Sequence, residues 1–115
     1  MKEPSQCILW TKPELIEGAK AERFERLETF VDESHWWRYL LKCRECGQLY
    51  FFEFHETIDW EDGDDPQYST YVPVENDAEI EALKQTGPSG LLQFSPRLQR
   101  DFPKGAKAPT VHWVK

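Results

Sequence analysis

Long hydrophobic runs are missing from this sequence, and so is the pattern of a signal peptide. Its apolar runs extend over only a few residues, whereas a membrane-spanning helix needs about 20. The first stretch, MKEPSQCILWTKPE, carries acidic residues and prolines where a signal peptide needs a basic start and a long apolar segment. These absences argue against a membrane protein and a secreted one. We therefore predict a soluble, cytoplasmic protein.

Cysteine is scarce, with only three in 115 residues. An odd number of cysteines in a reducing compartment argues against a framework of disulfide bonds. The thiols are then left either as metal ligands or as ordinary reduced side chains.

Short catalytic motifs are also absent. The chain has no Gly-x-Ser-x-Gly, no His-Glu-x-x-His and no glycine-rich phosphate-binding loop. Its most crowded carboxylates lie in a loop with Gly63 and Pro66, a setting more typical of solvated side chains than of acid–base catalysts. We predict that the protein is not an enzyme, although a catalytic site assembled from distant residues would leave no such motif.

Basic residues are missing from the middle of the chain. Residues 53–81 contain eleven carboxylates and no lysine or arginine, whereas residues 82–115 contain six basic residues and one acid. The net charge of -7 disfavours nucleic acid as a direct partner, because binding to phosphates needs concentrated positive charge. A basic protein is the partner that this charge distribution favours.

The strongest structural pattern is a hairpin over about residues 36–54. Two β-prone runs, WWRYLLK and QLYFFEF, flank a short polar tip, and we predict that Cys43 lies opposite Cys46. Alternation then places six large side chains on one face: Trp37, Tyr39, Leu41, Tyr50, Phe52 and Phe54. The alternating runs YSTYVPV and TVHWV predict further strands near 68–74 and 110–114.

Three helices complete the predicted domain. A capping pattern at Thr11 and the apolar spacing that follows predict a first helix extending to Val31. Its regular part begins either at Thr11 or, because of Gly18, only near Ala19. Asn76 and Ser95 are predicted to cap two further short helices. Residues 1–115 therefore form a single α+β domain, in which a small antiparallel sheet packs against two or three helices.

The sequence Cys43-x-x-Cys46-Gly47 resembles one half of a zinc ribbon. The resemblance covers about five residues: two thiolates on a tight turn can bind the same ion, and Gly47 suits the left-handed backbone of the turn. A structural zinc ion needs four ligands, and the second Cys-x-x-Cys is missing. The remaining ligands must therefore come from elsewhere in the chain.

Geometry narrows the choice of these ligands. His35 and His55 fall at the open end of the hairpin, roughly 26–30 Å from the tip, and are excluded. Cys7 and His112 remain. The candidate metal site therefore comprises Cys7, Cys43, Cys46 and His112. We prefer the interpretation that this is a tight turn with two reduced thiols and no metal, so that the protein has no cofactor, and we keep the four-ligand zinc site as the alternative.

Trp60 lies inside a run of acids, DWEDGDD. Tryptophan is strongly enriched at interaction hot spots, and surrounding carboxylates speed the encounter with a basic partner. The alternative is that Trp60 folds back onto the hairpin and covers it. On the first interpretation we predict a partner-binding surface of eight residues: Glu53, Glu56, Asp59, Trp60, Glu61, Asp62, Asp64 and Asp65.

Small size, acidity and aromatic richness give the chain the character of a known class of protein. It resembles the immunity proteins that bacteria pair with secreted nuclease toxins, including those of contact-dependent growth inhibition. The resemblance lies in overall character and in no diagnostic motif. It implies a protein-binding module that neutralises a basic toxin by presenting carboxylates where phosphates would lie. The alternative is a small structural zinc protein that uses the Cys43/Cys46 knuckle, such as an adaptor.

Overall fold

Alternating apolar and polar side chains lead six segments of the chain into one antiparallel sheet. In the computed structural model, which describes residues 1–115, every strand pairs with the next one along the chain. The strands are β1 (Phe24–Glu33), β2 (Trp36–Cys43), β3 (Leu49–Glu56), β4 (Gln67–Val74), β5 (Arg97–Phe102) and β6 (Thr110–Val114). The sheet is therefore a meander with β1 and β6 at its edges.

The helices are short and lie in the connections. They are α1 (Ile8–Thr11), α2 (Lys20–Arg23) and α3 (Asp77–Lys84), with single 3-10 turns at Pro13–Glu17 and Gly90–Gln93. As predicted, α3 is capped by Asn76, whose Oδ1 accepts a hydrogen bond from the Glu79 N–H at 3.0 Å. None of these helices has the length and apolarity needed to cross a membrane. An antiparallel sheet combined with a few helices confirms the predicted α+β class.

One predicted helix and the second half of another are strands. The second half of the predicted first helix is β1, and the segment after Ser95 is β5. In β1 the register against β2 shifts at Leu27 and again at Phe30, so that each of these residues is an extra one in a β-bulge. Two bulges three residues apart give a strand the apolar spacing of a helix. In β5, Leu98 and Gln99 are both buried, on opposite faces of the sheet, as strand alternation requires.

The central hairpin is paired two residues away from the predicted register. Cys43 donates its N–H to the carbonyl of Gln48 at 2.8 Å, and the tip between them holds four residues. Trp37 consequently lies opposite Phe54. The predicted register, with its shorter tip, puts Phe52 at that position. Because the shift is an even number of residues, every side chain of the hairpin stays on its predicted face.

Apolar layers cover both faces of the sheet. The N-terminal segment covers one face, where the buried residues are Cys7, Leu9, Ile16, Phe24, Leu41, Cys43, Tyr50, Phe52, Tyr71 and Leu98. The other face is covered by α3 and the Gly90–Gln93 turn, over Leu40, Phe51, Val72, Val74, Ile80, Leu83 and Leu91. Trp113 in β6 donates its indole N–H to the Leu9 carbonyl at 2.7 Å, which fastens the N-terminal layer to the last strand.

Candidate functional site

The acidic segment between β3 and β4 folds into a loop that its own hydrogen bonds close. Asp59 Oδ1 accepts from the backbone N–H groups of Glu61 and Asp62, each at 3.2 Å. Asp65 Oδ1 accepts from the Asp59 N–H at 2.7 Å. Gly63 has a φ of 67°, a left-handed conformation that glycine adopts without strain. Aspartate side chains that bond nearby backbone in this way fix the shape of a turn.

The turn between β5 and β6 supplies the acidic loop with a counter-charge. Lys104 Nζ lies 3.0 Å from Asp59 Oδ2 and 3.0 Å from Asp62 Oδ2, and the Gly105 N–H donates to Asp64 Oδ2 at 2.7 Å. The hydrogen bond from Lys104 holds the pKa of Asp59 below its usual range, and the two carboxylates raise the pKa of Lys104. Repulsion within the acidic segment is therefore relieved partly inside the chain.

Replacing Lys104 with alanine should loosen this loop. We expect backbone order parameters of residues 59–65 to fall from about 0.85, typical of a rigid backbone, towards 0.6 in Lys104→Ala. Lys107→Ala is the matched control, because Lys107 is exposed and forms no ion pair.

Acid should loosen the loop in the same way. The Asp59 pKa is lowered in the folded state, so the contribution of Asp59 to loop stability is present above the ordinary aspartate pKa. That contribution disappears as the pH falls through the lowered value. Nitrogen-15 relaxation checks both results, and unchanged order in Lys104→Ala would contradict the role of Lys104.

Trp60 extends from the acidic loop into solvent. Its side chain is 90% exposed, so the alternative in which it covers the hairpin is wrong. The neighbouring Glu61 is also exposed, and its carboxylate forms neither an ion pair nor a hydrogen bond within the chain. The loop thus presents an aromatic side chain and an unpaired carboxylate side by side.

The remaining residues of the predicted partner-binding surface are engaged within the chain. Glu53 requires a correction: it is only 3% exposed, and its Oε2 accepts from Arg38 Nε at 2.7 Å, so it lies in the interior. Glu56 accepts from Gln67 at 2.6 Å and faces His35 Nδ1 at 2.9 Å, and these two contacts lower its pKa. Four aspartates maintain the loop: Asp59, Asp62, Asp64 and Asp65. Trp60 and Glu61 are the members left free for a partner.

The three cysteines converge at the opposite end of β3. Cys43 ends β2, Cys46 lies in the hairpin tip, and Cys7 directly precedes α1. Their sulfur atoms lie within 4.8 Å of one another, and Cys7 Sγ is 3.9 Å from Cys43 Sγ. Cys7 and Cys43 are buried, whereas Cys46 is exposed. The structure therefore brings together three of the four predicted metal ligands, and this group can hold a metal ion.

His112, the fourth predicted ligand, is not part of this cluster. It pairs with Gln99 in the sheet, while its neighbours Val111 and Trp113 pack against the core that contains Cys7. Because successive side chains of a strand point to opposite faces, His112 lies on the other side of the sheet. There it lines an open pocket of about 320 Å³. The prediction that His112 is a metal ligand is therefore wrong, and three predicted ligands remain: Cys7, Cys43 and Cys46.

The thiols of the cluster differ in acidity. Burial raises the pKa of Cys7 to about 12. Burial also raises the pKa of Tyr50, whose hydroxyl donates to Cys7 Sγ at 3.1 Å. Burial acts against ionisation of Cys43 too, but hydrogen bonds from the backbone of Cys46 and Glu45 and from the neighbouring thiols lower its pKa overall. Cys43 therefore ionises more readily than Cys7.

The sheet contains a buried row of polar side chains that the sequence analysis does not predict. Arg38, Glu53, Thr70 and Gln99 lie at adjacent positions across β2, β3, β4 and β5, and all four are buried. The guanidinium of Arg38 also donates to the carbonyls of Leu83, Thr86 and Gly87, at and after the end of α3. In the sequence, the pattern that could have predicted this row is the presence of Arg38 and Glu53, two charged residues, within two aromatic strand segments. The row connects the sheet to the helix that covers it.

Comparison with known proteins identifies no relative of this chain. No protein-family model matches it, and no curated protein or solved structure does so. The fold and its sites define an antiparallel meander with a fixed acidic loop at one end and a cysteine cluster at the other. Because one fold serves many functions, these two sites carry the information about what the protein does.

Proposed function

We propose that this protein is a non-enzymatic binding module that captures a basic protein surface with the Trp60 loop. The observation that carries the proposal is a tryptophan that is 90% exposed on a loop clasped by Lys104. A large aromatic side chain on a fixed loop can fill a partner's pocket without first losing the freedom of a mobile segment. The adjacent carboxylates accelerate the encounter with a cationic partner.

The partner class that we propose is the basic nuclease domain of a bacterial toxin, with this chain acting as its immunity protein in the cytoplasm. Charge supports this choice. The acidic loop carries five carboxylates, of which two pair with the single ammonium group of Lys104, so the loop stays strongly negative. A nuclease surface that binds phosphates is positively charged, and such a loop complements it.

A structural zinc protein is the second candidate function. The observation that favours it is the convergence of Cys7, Cys43 and Cys46 within 4.8 Å. The two candidates are compatible, because the cluster and the acidic loop lie at opposite ends of β3, roughly 23 Å apart along the strand.

Trp60→Ala and Glu61→Lys should weaken toxin binding and leave the fold unchanged. Truncating a hot-spot tryptophan costs about 2 kcal/mol or more, which corresponds to a roughly 30-fold loss of affinity. Reversing the charge of Glu61 should weaken binding most at low salt, where exposed charges are least screened. The measurement is inhibition of DNA or RNA cleavage by the nuclease domain of a contact-dependent toxin, titrated with wild-type and variant protein.

The control for these variants is Glu28→Lys, the same charge reversal at an exposed site of the edge strand β1. It should inhibit the nuclease as well as wild type does. Reversing Asp62, Asp64 or Asp65 is less specific, because these side chains hold the loop together. Inhibition that neither Trp60→Ala nor Glu61→Lys reduces would refute the proposed surface.

A further inference from the structure

We propose that Cys7, Cys43 and Cys46 bind one Zn²⁺ through three thiolates, and that the fourth coordination position opens to the protein surface. This inference deepens the second candidate function and rests on it. It is independent of the acidic loop. It also differs from the ligand set that the sequence predicts, because no histidine takes part.

The spacing of the sulfur atoms supports a shared ion. Tetrahedral zinc with Zn–S bonds of about 2.3 Å places its sulfur ligands roughly 3.8 Å apart. Cys7 Sγ and Cys43 Sγ are separated by 3.9 Å, and the third sulfur lies within 4.8 Å of both. A disulfide requires a separation of about 2.05 Å. The three sulfurs are therefore spaced as the corners of a coordination site.

A hydrogen-bond donor is directed at one of the sulfurs. The hydroxyl of the fully buried Tyr50 donates to Cys7 Sγ at 3.1 Å. Such outer donors orient metal ligands and stabilise the thiolate form. The Tyr50 hydroxyl thus favours the thiolate form of Cys7, which is the form in which a cysteine binds metal.

The fourth position faces solvent. Cys46 is exposed, and a surface cleft of about 270 Å³ adjoins the cluster. The cleft is lined by Ser5, Gln6, Cys7, Ile8, Thr11, Glu45 and Cys46. No histidine is among them, and the Glu45 carboxylate pairs with Arg23 at 3.0 Å. With three protein ligands and an accessible fourth position, water completes the tetrahedron and can exchange with an incoming nitrogen or sulfur donor.

The test is a titration of the freshly reduced full-length chain with Co²⁺, followed by visible and near-ultraviolet absorption. We expect one equivalent to bind, with thiolate-to-cobalt charge-transfer intensity for three sulfurs and the ligand-field bands of a tetrahedral ion. Zn²⁺ should displace it. Imidazole should then shift the ligand-field bands, because it enters the open position.

Two variants assign the ligands. Cys46→Ser changes an exposed side chain, so the chain should fold and the charge-transfer intensity should fall from three thiolates to two. His112→Ala should leave the spectrum unchanged, since His112 lies on the other face of the sheet.

The outcomes separate the two parts of the inference. Failure to bind one equivalent with thiolate charge transfer would overturn the metal site and the second candidate function with it. The same holds if dissolved oxygen oxidises the reduced chain to a Cys7–Cys43 disulfide in the presence of Zn²⁺, detected by mass spectrometry. A three-thiolate spectrum that imidazole does not shift would retain the zinc protein and overturn the open position. A spectrum altered in His112→Ala would overturn the three-cysteine ligand set.

Discussion

Arg38→Ala should lower the free energy of unfolding by about 3–5 kcal/mol, the cost of breaking a buried ion pair from one side. Arg38 is only 1% exposed, and its Nε donates to Glu53 Oε2 at 2.7 Å. Truncation leaves a buried carboxylate without its counter-ion. It also removes the donors that satisfy the carbonyls of Leu83, Thr86 and Gly87. Because domains are stable by about 5–15 kcal/mol in total, this single change should bring the protein close to unfolding.

Urea denaturation measures the effect, and two further variants identify its cause. Arg26→Ala removes an exposed arginine from β1 and should change stability by no more than about 1 kcal/mol. In the double variant Arg38→Met/Glu53→Met no buried charge is left unpaired. Its loss of unfolding free energy should therefore be smaller than the sum of the losses in Arg38→Met alone and Glu53→Met alone. Trp36 and the Ser89 N–H still lose Glu53 as their acceptor, and therefore recovery should be incomplete. A loss of under about 1 kcal/mol in Arg38→Ala would contradict this account.

Zinc should raise the midpoint of thermal unfolding by on the order of 15 °C. A ligand that binds only the folded state, at a free concentration about 1,000 times its Kd, stabilises it by about 4 kcal/mol. In a domain of this size each kcal/mol shifts the midpoint by roughly 4 °C. The physical origin is the link from Cys7 in the N-terminal segment to Cys43 at the end of β2, a link that does not exist in the unfolded chain.

Differential scanning calorimetry with added Zn²⁺ and then with excess chelator measures this shift. Chelation should return the midpoint to its metal-free value. Cys46→Ser is the informative variant, because its exposed thiol contributes little to packing while the ion loses one of its three sulfur ligands. It should unfold near the metal-free wild-type midpoint and should show a much smaller shift with zinc. Equal midpoints for wild type with and without zinc would rule out a stabilising metal site.

The sequence was sufficient for the parts of the fold that depend on local periodicity. Alternation alone decides which way Trp37 or Tyr50 points, and a register error of two residues leaves that direction intact. The same approach failed for β1, because bulges at Leu27 and Phe30 convert a strand period into an apparent helical one. Bulges depend on pairing with a partner strand, and the local pattern does not record that pairing.

The candidate sites likewise combine features that local sequence predicts with features that only tertiary contacts determine. Composition alone located the acidic loop, but Lys104 is distant in sequence and only the β5–β6 turn brings it there. The sequence predicts both Cys7 and His112 as ligands, because the histidines of the hairpin lie too far from its tip. Alternation in β6 does not show which face reaches Cys7. In the structure Val111 and Trp113 enter that core, and so His112 cannot. Burial of Glu53 likewise follows from Arg38 on the adjacent strand, which is a tertiary contact.

Trp113 and Leu9 share a hydrogen bond although 104 residues separate them in the chain. On the ribosome the N-terminal segment emerges long before β6, whereas each hairpin of the meander can close as soon as its second strand is free. The hydrogen bond that fastens the N-terminal layer to β6 can therefore form only after the last strand has been made. Cys43 and Cys46 lie at the β2–β3 hairpin, and Cys7 contacts Cys43 and Tyr50 of the same two strands. The three thiols can thus come together before β6 is complete, and Trp113 then holds the N-terminal segment in place.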